Sequence, residues 1–331
     1  MRTIKIVGII FLGLIIVGPV TGLVYQRIGS VQDAEIRRTP PGRLVDVNGQ
    51  KLHIDCRGFG AKTLVLEAGG LLFSASWALI QPMLARQHRV CSYDRPGLGW
   101  SESAEPEESL SAWRSTLFTL LNNAGEHGPY ELIGHALGGA LIREYAAQDQ
   151  SKIAGLVFID SGPPGPYSSM SKTMREHFEA AEQSSRLMPT LARFGFLRFK
   201  FRDLNLGDDF PHNEEKAIKA FFANVHHIDI GAREFRLANA IEHAGQELSQ
   251  TTIPILAIIG RYDHNDVEGH VELGLAYHRE LADISIQNGR FLNIEGASHA
   301  DLLGTEQYAD QVVTAIDAFI AGTDENQAIA R

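Results

Sequence analysis

The stretch Gly134-His135-Ala136-Leu137-Gly138 decides the fold of this chain of 331 residues. It follows a predicted strand at residues 130–133 and leads into a predicted helix at residues 137–147. Glycines on both sides of the turn let the strand and helix backbones come closer together than a side chain would permit. The stretch therefore predicts a sharp strand–turn–helix junction with residue 136 at its apex.

Strands alternate with helices on both sides of this junction. Near the start of the chain, Asn48-Gly49 predicts a tight turn between two strands of alternating apolar and polar residues. Strands are predicted at residues 44–47, 51–55, 63–66, 90–93, 130–133, 156–159, 255–259 and 291–294. Because strands that alternate with helices form mostly parallel sheets covered on both faces, we predict an eight-stranded α/β fold.

Residues 163–252 interrupt this alternation with several helix-like stretches and no clear strand pattern. We predict that they form a helical cap, inserted between two parts of one core at residues 43–162 and 253–322. Within the cap, residues 187–201 are rich in Phe and Leu, with Arg and Lys between them. These apolar residues are predicted to pack inside the cap, to line an apolar pocket or to lie on a membrane surface.

The N-terminus carries an uncharged apolar run at residues 6–25. About 20 such residues are needed for a helix to cross roughly 30 Å of hydrocarbon. A cleaved signal peptide has a shorter apolar core of about 7–15 residues, and Val20-Thr21-Gly22 is a poor cleavage site. We therefore predict that residues 1–30 form a retained transmembrane helix that attaches the protein to a membrane.

Charge and metal-binding patterns exclude other classes of partner. The net charge is −10, and no Lys/Arg-rich run is present, so a nucleic-acid partner is not expected. The two cysteines form no CxxC pair, and the groups Asp263-His264-Asn265-Asp266 and His226-His227 lack a recognised ligand spacing. We therefore expect neither a metal site nor a cofactor.

The residue at the apex of the junction limits the chemistry. In the nucleophile elbow, G-x-S-x-G, the turn presents a serine above the sheet. Here Ala136 takes that position, and its methyl group has no lone pair with which to attack a carbonyl carbon. An acyl-enzyme of the usual kind is therefore not expected from this chain.

Three motifs give the chain a resemblance to the α/β-hydrolase superfamily, in particular to its bacterial membrane-anchored members. They are the elbow, Leu66-Glu67-Ala68-Gly69-Gly70, and the segment Tyr93-Asp94-Arg95-Pro96-Gly97-Leu98-Gly99-Trp100-Ser101. The resemblance implies the α/β-hydrolase fold and a Ser-His-Asp-type site for a carboxylic ester or related acyl substrate. It also implies attachment to the inner membrane, with the domain on the periplasmic or extracytoplasmic side.

The resemblance also implies which residues form the site, because the superfamily orders its triad as nucleophile, acid and histidine. His299 follows the last predicted strand and is the expected base. Asp263 follows the strand after the cap and is the expected acid, with Asp160 before the cap as the alternative. The oxyanion hole is expected to use the backbone N–H groups of Gly70 and Leu137.

The cysteines are placed by the same resemblance. Cys56 ends the second predicted strand and Cys91 lies in the fourth, and these strands are neighbours in the fold that the chain resembles. Export to an oxidising compartment would favour a disulfide between them. Two free thiols are the alternative, and the sequence leaves both open.

Ala136 has three interpretations. The chain is a Ser→Ala variant of a hydrolase, a natural non-catalytic relative that binds a small-molecule ligand under its cap, or a weak catalyst in which His299 activates water. The expected presence of His299, Asp263 and the elbow glycines favours a hydrolase scaffold, since ligand binding alone does not need that arrangement.

Overall fold

Eight strands form the central sheet of the protein. The structure is a computed structural model that describes residues 2–102, 110–161, 172–245, 247–261 and 270–329. The strands are β1 (Arg43–Val47), β2 (Gln50–Arg57), β3 (Thr63–Glu67), β4 (Arg89–Tyr93), β5 (Tyr130–His135), β6 (Ile153–Ile159), β7 (Ile255–Arg261) and β8 (Gly289–Glu295).

The order of the strands confirms the predicted sheet. It reads β1-β2-β4-β3-β5-β6-β7-β8, and β2 alone is antiparallel to its neighbours β1 and β4. The remaining pairs are parallel. At the predicted hairpin, Asn48 and Gly49 both have positive φ, as a turn with the twist of the flanking strands requires. Because the middle strands are parallel, their carboxyl ends meet at one edge of the sheet.

Some of the helices in the described residues cover the two faces of this sheet, and the others pack on those helices or on one another. The helices are α1 (Arg2–Gln32), α2 (Ala34–Arg38), α3 (Ile80–Leu84), α4 (Leu110–Asn123), α5 (Leu137–Gln148), α6 (Lys172–Arg193), α7 (Phe196–Phe201), α8 (His212–Phe222), α9 (Val225–Gly245), α10 (His270–Asp283), α11 (Asp301–Gly304) and α12 (Glu306–Ile329). Strand β3 shows the two-sided burial, because Leu64 and Leu66 join one apolar cluster and Val65 joins the other.

The described residues between β6 and β7 form the four helices α6 to α9 and contain no strand. Helix α9 packs against both α6 and α5, so it connects this helical layer to the helix that follows the elbow. The predicted cap boundaries at 163 and 252 stay predictions, and residue 163 lies outside the described residues. We use the word cap below for helices α6 to α9.

The predicted transmembrane helix over residues 1–30 is not supported. Within the described part of the chain, no helix combines the length and the apolar character needed to cross a membrane. Instead, the end of the predicted span contacts the protein itself. The Gln26 side chain donates to the Ala223 carbonyl at 2.7 Å and accepts from Arg198 at 3.1 Å.

The two cysteines face each other across β2 and β4 and form a disulfide. Cys56 and Cys91 are directly paired in the antiparallel register, with their Cα atoms 4.0 Å apart. Of the two alternatives left open by the sequence, the structure contains the disulfide. The bond links the antiparallel strand β2 to the parallel part of the sheet.

Candidate active site

The elbow lies between β5 and α5, and its backbone is strained at residue 136. Ala136 has φ 50° and ψ −118°, a conformation that residues with a Cβ rarely adopt. Its N–H donates to the Ile159 carbonyl at 3.1 Å, and its carbonyl accepts from Gly139 at 3.0 Å. A Cβ on Gly138 would lie 2.2 Å from the Glu67 carbonyl oxygen, so this glycine is required for the close approach of helix and strand.

His299 is paired with Asp160, the alternative acid. Its Nδ1 lies 2.6 Å from Asp160 Oδ2. Asp160 follows β6, next to β5 in the sheet, and its N–H donates to the Ile258 carbonyl at 2.8 Å. Burial opposes ionisation of this carboxyl group, but the hydrogen bond and charge of His299 hold the pKa of Asp160 below its usual range. Asp263, the acid that the sequence favours, lies outside the described residues.

His135 holds the imidazole of His299 beside the elbow. The two rings are in contact, with their centroids 4.4 Å apart and their planes tilted by 34°, and His135 Nε2 donates to the His299 carbonyl at 3.3 Å. Burial, together with the nearby His299, lowers the pKa of His135 to about 3, so His135 remains neutral. Because His135 directly precedes Ala136, this ring contact places His299 near the apex of the turn. His135 occupies the variable position of the motif, so the sequence pattern does not indicate this role.

The loop after β3 lies against the elbow. A Cβ on Gly70 would be 3.3 Å from Leu137 Cδ2, and a Cβ on Gly69 would be 3.4 Å from the Ala136 Cβ. Leu137 is the first residue of α5, so its N–H has no partner within the helix. The two residues expected to form an oxyanion hole are therefore neighbours across the turn.

An apolar ring borders the same loop from the cap. Phe235 in α9 is partly exposed, and its Cζ would lie 3.9 Å from a Cβ on Gly70. Together with Leu137 it gives the site an apolar wall next to the expected oxyanion donors. Such a wall suits the hydrocarbon part of an acyl group.

A buried cluster of charged side chains holds the loop after β3 in place. Arg95 donates to Glu67 at 2.7 Å and to Glu234 of α9 at 2.6 Å. It also donates to the carbonyl groups of Ala68 and Gly69, at 2.7 and 2.8 Å. Burial opposes its charge, but the two carboxylates keep the pKa of Arg95 well above its usual value. Arg95 and Glu234 are 139 positions apart in sequence, and together they hold one loop. No local sequence pattern indicates this pairing.

We expect Arg95→Met to destabilise the protein by about 3–5 kcal/mol, because it leaves two buried carboxylates without their partner. The free energy of unfolding is to be measured in urea. Arg57→Met is the matched control, since the Arg57–Asp55 pair at 2.6 Å is partly exposed and should contribute less than about 1 kcal/mol. Equal losses in the two variants would contradict this assignment.

A Ser-His-Asp set of Ser74, His53 and Asp94 lies beside the segment that begins at Tyr93, but its geometry is structural. Asp94 Oδ2 lies 3.0 Å from His53 Nδ1, and the Ser74 hydroxyl approaches the same ring nitrogen at 3.4 Å. A proton relay needs the acid and the hydroxyl on opposite ring nitrogens. Asp94 also accepts from the backbone of Ser74 and Trp100, both at 2.8 Å. It therefore orders the turn.

The histidines considered as metal ligands have other environments. His226 is exposed, whereas both ring nitrogens of His227 bond the backbone. Among the described residues, Cys56, Cys91 and Glu126 come within 4.8 Å of one another, but the two cysteines are consumed by the disulfide. The group 263–266 lies outside the described residues.

Comparison with known proteins identifies the family. The sequence model described as the alpha/beta hydrolase fold matches residues 62–303, more than half of the chain. The chain therefore belongs to the alpha/beta hydrolase fold family.

Solved structures share the fold at low identity. The Cif epoxide hydrolase from Acinetobacter nosocomialis has a TM-score of 0.68 at 16% identity, over 90% of this chain and 96% of that chain. A membrane phospholipase A, described as a bacterial virulence factor, has a TM-score of 0.64 at 16% identity, over 98% and 99%. A thermophilic esterase from Thermogutta terrifontis has a TM-score of 0.56 at 18% identity, over 85% and 97%.

Curated relatives match part of the chain. An uncharacterized protein of Schizosaccharomyces pombe is 31% identical over 152 residues, which cover 37% of this chain and 28% of that protein. An uncharacterized protein of Bacillus subtilis is 22% identical over 168 residues, covering 50% and 51%. The alignments thus span about half or less of the length of these two relatives.

Proposed function

We propose that the protein is the scaffold of a Ser-His-Asp-type hydrolase for a carboxylic ester or related acyl substrate, with Ala136 at the nucleophile position. The observation that carries the proposal is the 2.6 Å contact between His299 Nδ1 and Asp160 Oδ2 at the edge of the sheet where the elbow lies. Asp160 serves as the acid that orients His299 and stabilises its protonated form.

With serine at position 136, these groups support a complete acyl transfer. The serine oxygen bonds to the ester carbonyl carbon while His299 Nε2 takes its proton. The carbonyl electron pair moves onto oxygen, where the N–H groups of Gly70 and Leu137 stabilise the charge. The bond to the leaving alkoxide then breaks, and His299 returns the proton to it. Water repeats the same steps on the acyl-enzyme and releases the acid.

With Ala136 this sequence stops before its first bond. A ligand can still bind, and His299 can still act on a water molecule, but the covalent intermediate does not form. The apolar wall of Phe235 and Leu137 supports a substrate whose acyl part is hydrocarbon. The alternative function is ligand binding without catalysis. The test below distinguishes this alternative from a hydrolase scaffold.

The test is covalent labelling with a fluorophosphonate, which reacts with activated serines. We expect no labelling of the chain with Ala136 and rapid labelling of Ala136→Ser. The control is Ala136→Ser combined with His299→Ala, which keeps the serine but removes its base and should label slowly. If Ala136→Ser stays unlabelled although it is folded, the hydrolase proposal fails and ligand binding is favoured.

We further propose that the protein associates with a membrane surface on the extracytoplasmic side. Exposed apolar side chains lie on α1, on the cap helices α6 and α7 and in the turn between α6 and α7, and these three helices pack against each other. We call this set the apolar surface; it comprises Val17, Val20, Val24, Leu187, Phe194, Phe196 and Phe199. Lys200 and Arg202 adjoin it, and Arg202 lies 4.6 Å from the Phe199 ring centre, as suits anionic lipid headgroups. The disulfide supports an oxidising compartment.

We expect the double variant Phe196→Ser, Phe199→Ser to reduce binding to vesicles of phosphatidylcholine and phosphatidylglycerol by at least fivefold, because it removes apolar side chains that would enter the lipid interface. Co-sedimentation of the full chain measures the binding. Phe59→Ser is the matched control, since Phe59 is 90% exposed but lies outside the apolar surface. An equal loss in the control, or no loss in the double variant, would refute the membrane proposal.

A further inference from the structure

Leu71 has an unfavourable backbone conformation directly after Gly70. Its φ is +66°, in the left-handed region that a residue with a Cβ avoids. Both polar groups of this residue are bonded by one cap helix. The Leu71 N–H donates to Glu234 Oε2 at 2.9 Å, and the Leu71 carbonyl accepts from His227 Nε2 at 3.0 Å. Two side chains of α9 thus enforce the conformation.

The contacts come from a single face of α9. Positions 227, 231 and 234 are separated by four and three residues, which places them one above another on a helix. At the middle position, a Cβ on Gly231 would lie 2.1 Å from Leu71 Cδ1, so the glycine makes room for the leucine side chain. The face therefore fits Leu71 by shape as well as by hydrogen bonds.

The side chains of His227 and Glu234 are themselves held in place. The Gly99 N–H donates to His227 Nδ1 at 3.1 Å, so Nε2 carries the proton that His227 donates to Leu71. Burial lowers the pKa of His227 to about 4, which keeps this arrangement neutral at ordinary pH. Glu234 is fixed by its contacts to Arg95, at 2.6 and 3.0 Å.

We propose that His227 and Glu234 are positioning residues for the oxyanion hole. They hold the Leu71 peptide so that the preceding N–H, that of Gly70, stays aimed at the position of the developing negative charge. Neither side chain needs to touch the substrate. The inference rests on the proposed function, because it assigns the loop a role in that reaction, and it makes the cap part of the catalytic apparatus.

Two substitutions at one position test the role of His227 in the Ala136→Ser protein. Glutamine can place its amide N–H₂ near the position of Nε2 and still donate to Leu71. Asparagine can occupy the position of Nδ1 and still accept from Gly99, but it is too short to reach Leu71. We expect His227→Asn to lower kcat by roughly 10–100-fold with KM changed less than threefold. His227→Gln should retain activity within about fivefold.

The exposed neighbour supplies the matched control, and His226→Asn should leave kcat and KM unchanged. A role limited to fixing the turn at Gly99 predicts the reverse order, with asparagine better than glutamine. That order, or equal kcat in the two His227 variants, would overturn the proposal. A loss confined to KM would also overturn it.

Hydrogen exchange provides a readout that is independent of turnover. In the chain with Ala136, the Leu71 amide should exchange at least tenfold more slowly than the Gly70 amide, because Leu71 donates to a buried carboxylate whereas Gly70 must remain open to the substrate. His227→Asn should accelerate exchange across residues 69–72. If Leu71 exchanges as fast as Gly70, the positioning role fails even when Ala136→Ser is active. If the protection is found but Ala136→Ser is inert, the hydrolase proposal fails and the two-sided hold on Leu71 stands.

Discussion

Replacing Ala136 by serine is expected to raise the turnover of p-nitrophenyl esters by roughly 10⁴–10⁶-fold, because it supplies the nucleophile that the proposed site lacks. The backbone needs no change for this gain. Residue 136 already carries a Cβ at φ 50° and ψ −118°, so serine adds only its hydroxyl group. Steady-state kcat for acetate, butyrate and octanoate esters measures the effect and also reports the preferred acyl length.

Ala147→Ser is the control for this gain. It makes the same chemical change in the same helix, α5, but near its far end, and should leave turnover at the level of the unchanged chain. The gain in Ala136→Ser should also disappear when His299 is replaced by alanine. If serine at position 136 gives no more turnover than serine at position 147, the elbow is not the site of an acyl transfer.

Asp160→Asn in the Ala136→Ser protein is expected to lower kcat by about 10³–10⁴-fold. The amide can still hydrogen-bond to His299, but it favours the wrong tautomer and does not stabilise the protonated ring. Asp263→Asn should cost less than tenfold, since the 2.6 Å contact at His299 Nδ1 is made by Asp160. Steady-state kinetics on one ester compares the two variants directly.

A remote Asp–His pair controls for the loss of charge. Asp317 Oδ1 lies 2.8 Å from His88 Nε2, so Asp317→Asn breaks a contact of the same kind away from the elbow and should leave kcat unchanged. If Asp263→Asn instead causes the larger loss, then the acid is the one that the sequence favours. The assignment of Asp160 would then be withdrawn.

The elbow and the sheet could be predicted because their signals are local. Two glycines around residue 136, the turn at Asn48-Gly49 and the order of apolar runs each depend on neighbouring residues. The structure confirms the sheet that these signals predict, with eight strands that are mostly parallel. Because the resemblance places β2 and β4 side by side, a Cys56–Cys91 disulfide could be considered from the sequence. Only the register of the two strands shows that the two residues are directly opposite.

The contacts within the candidate site could not be predicted in the same way. Asp160 and Asp263 each follow a strand that ends at the same edge of the sheet, so strand order alone does not choose between them. The contacts of Glu234 and His227 with Leu71 span 163 and 156 residues of sequence, and they depend on how α9 packs onto the loop. In the sequence, Glu234 reads as an ordinary polar position, and His227 stands out only as part of the pair His226-His227.

The N-terminal prediction shows a different limit. Hydropathy records that residues 6–25 are apolar, but it does not record what those residues contact. The contacts of Gln26 with Ala223 and Arg198 attach the end of this segment to the cap. Hydropathy alone does not predict such contacts. The membrane association proposed above therefore rests on exposed side chains of the folded protein.

The position of Asp160 before the cap has a consequence for re-engineering this scaffold. The elbow and Asp160 both precede α6 in the chain, and His299 follows β8, so none of the three is encoded within the cap helices. A chimera could exchange those helices for another lid, and so change which esters enter, without interrupting the contact between Asp160 and His299. The graft would have to reproduce one narrow strip of α9, carrying His227, Gly231 and Glu234, or the loop below it would lose its support.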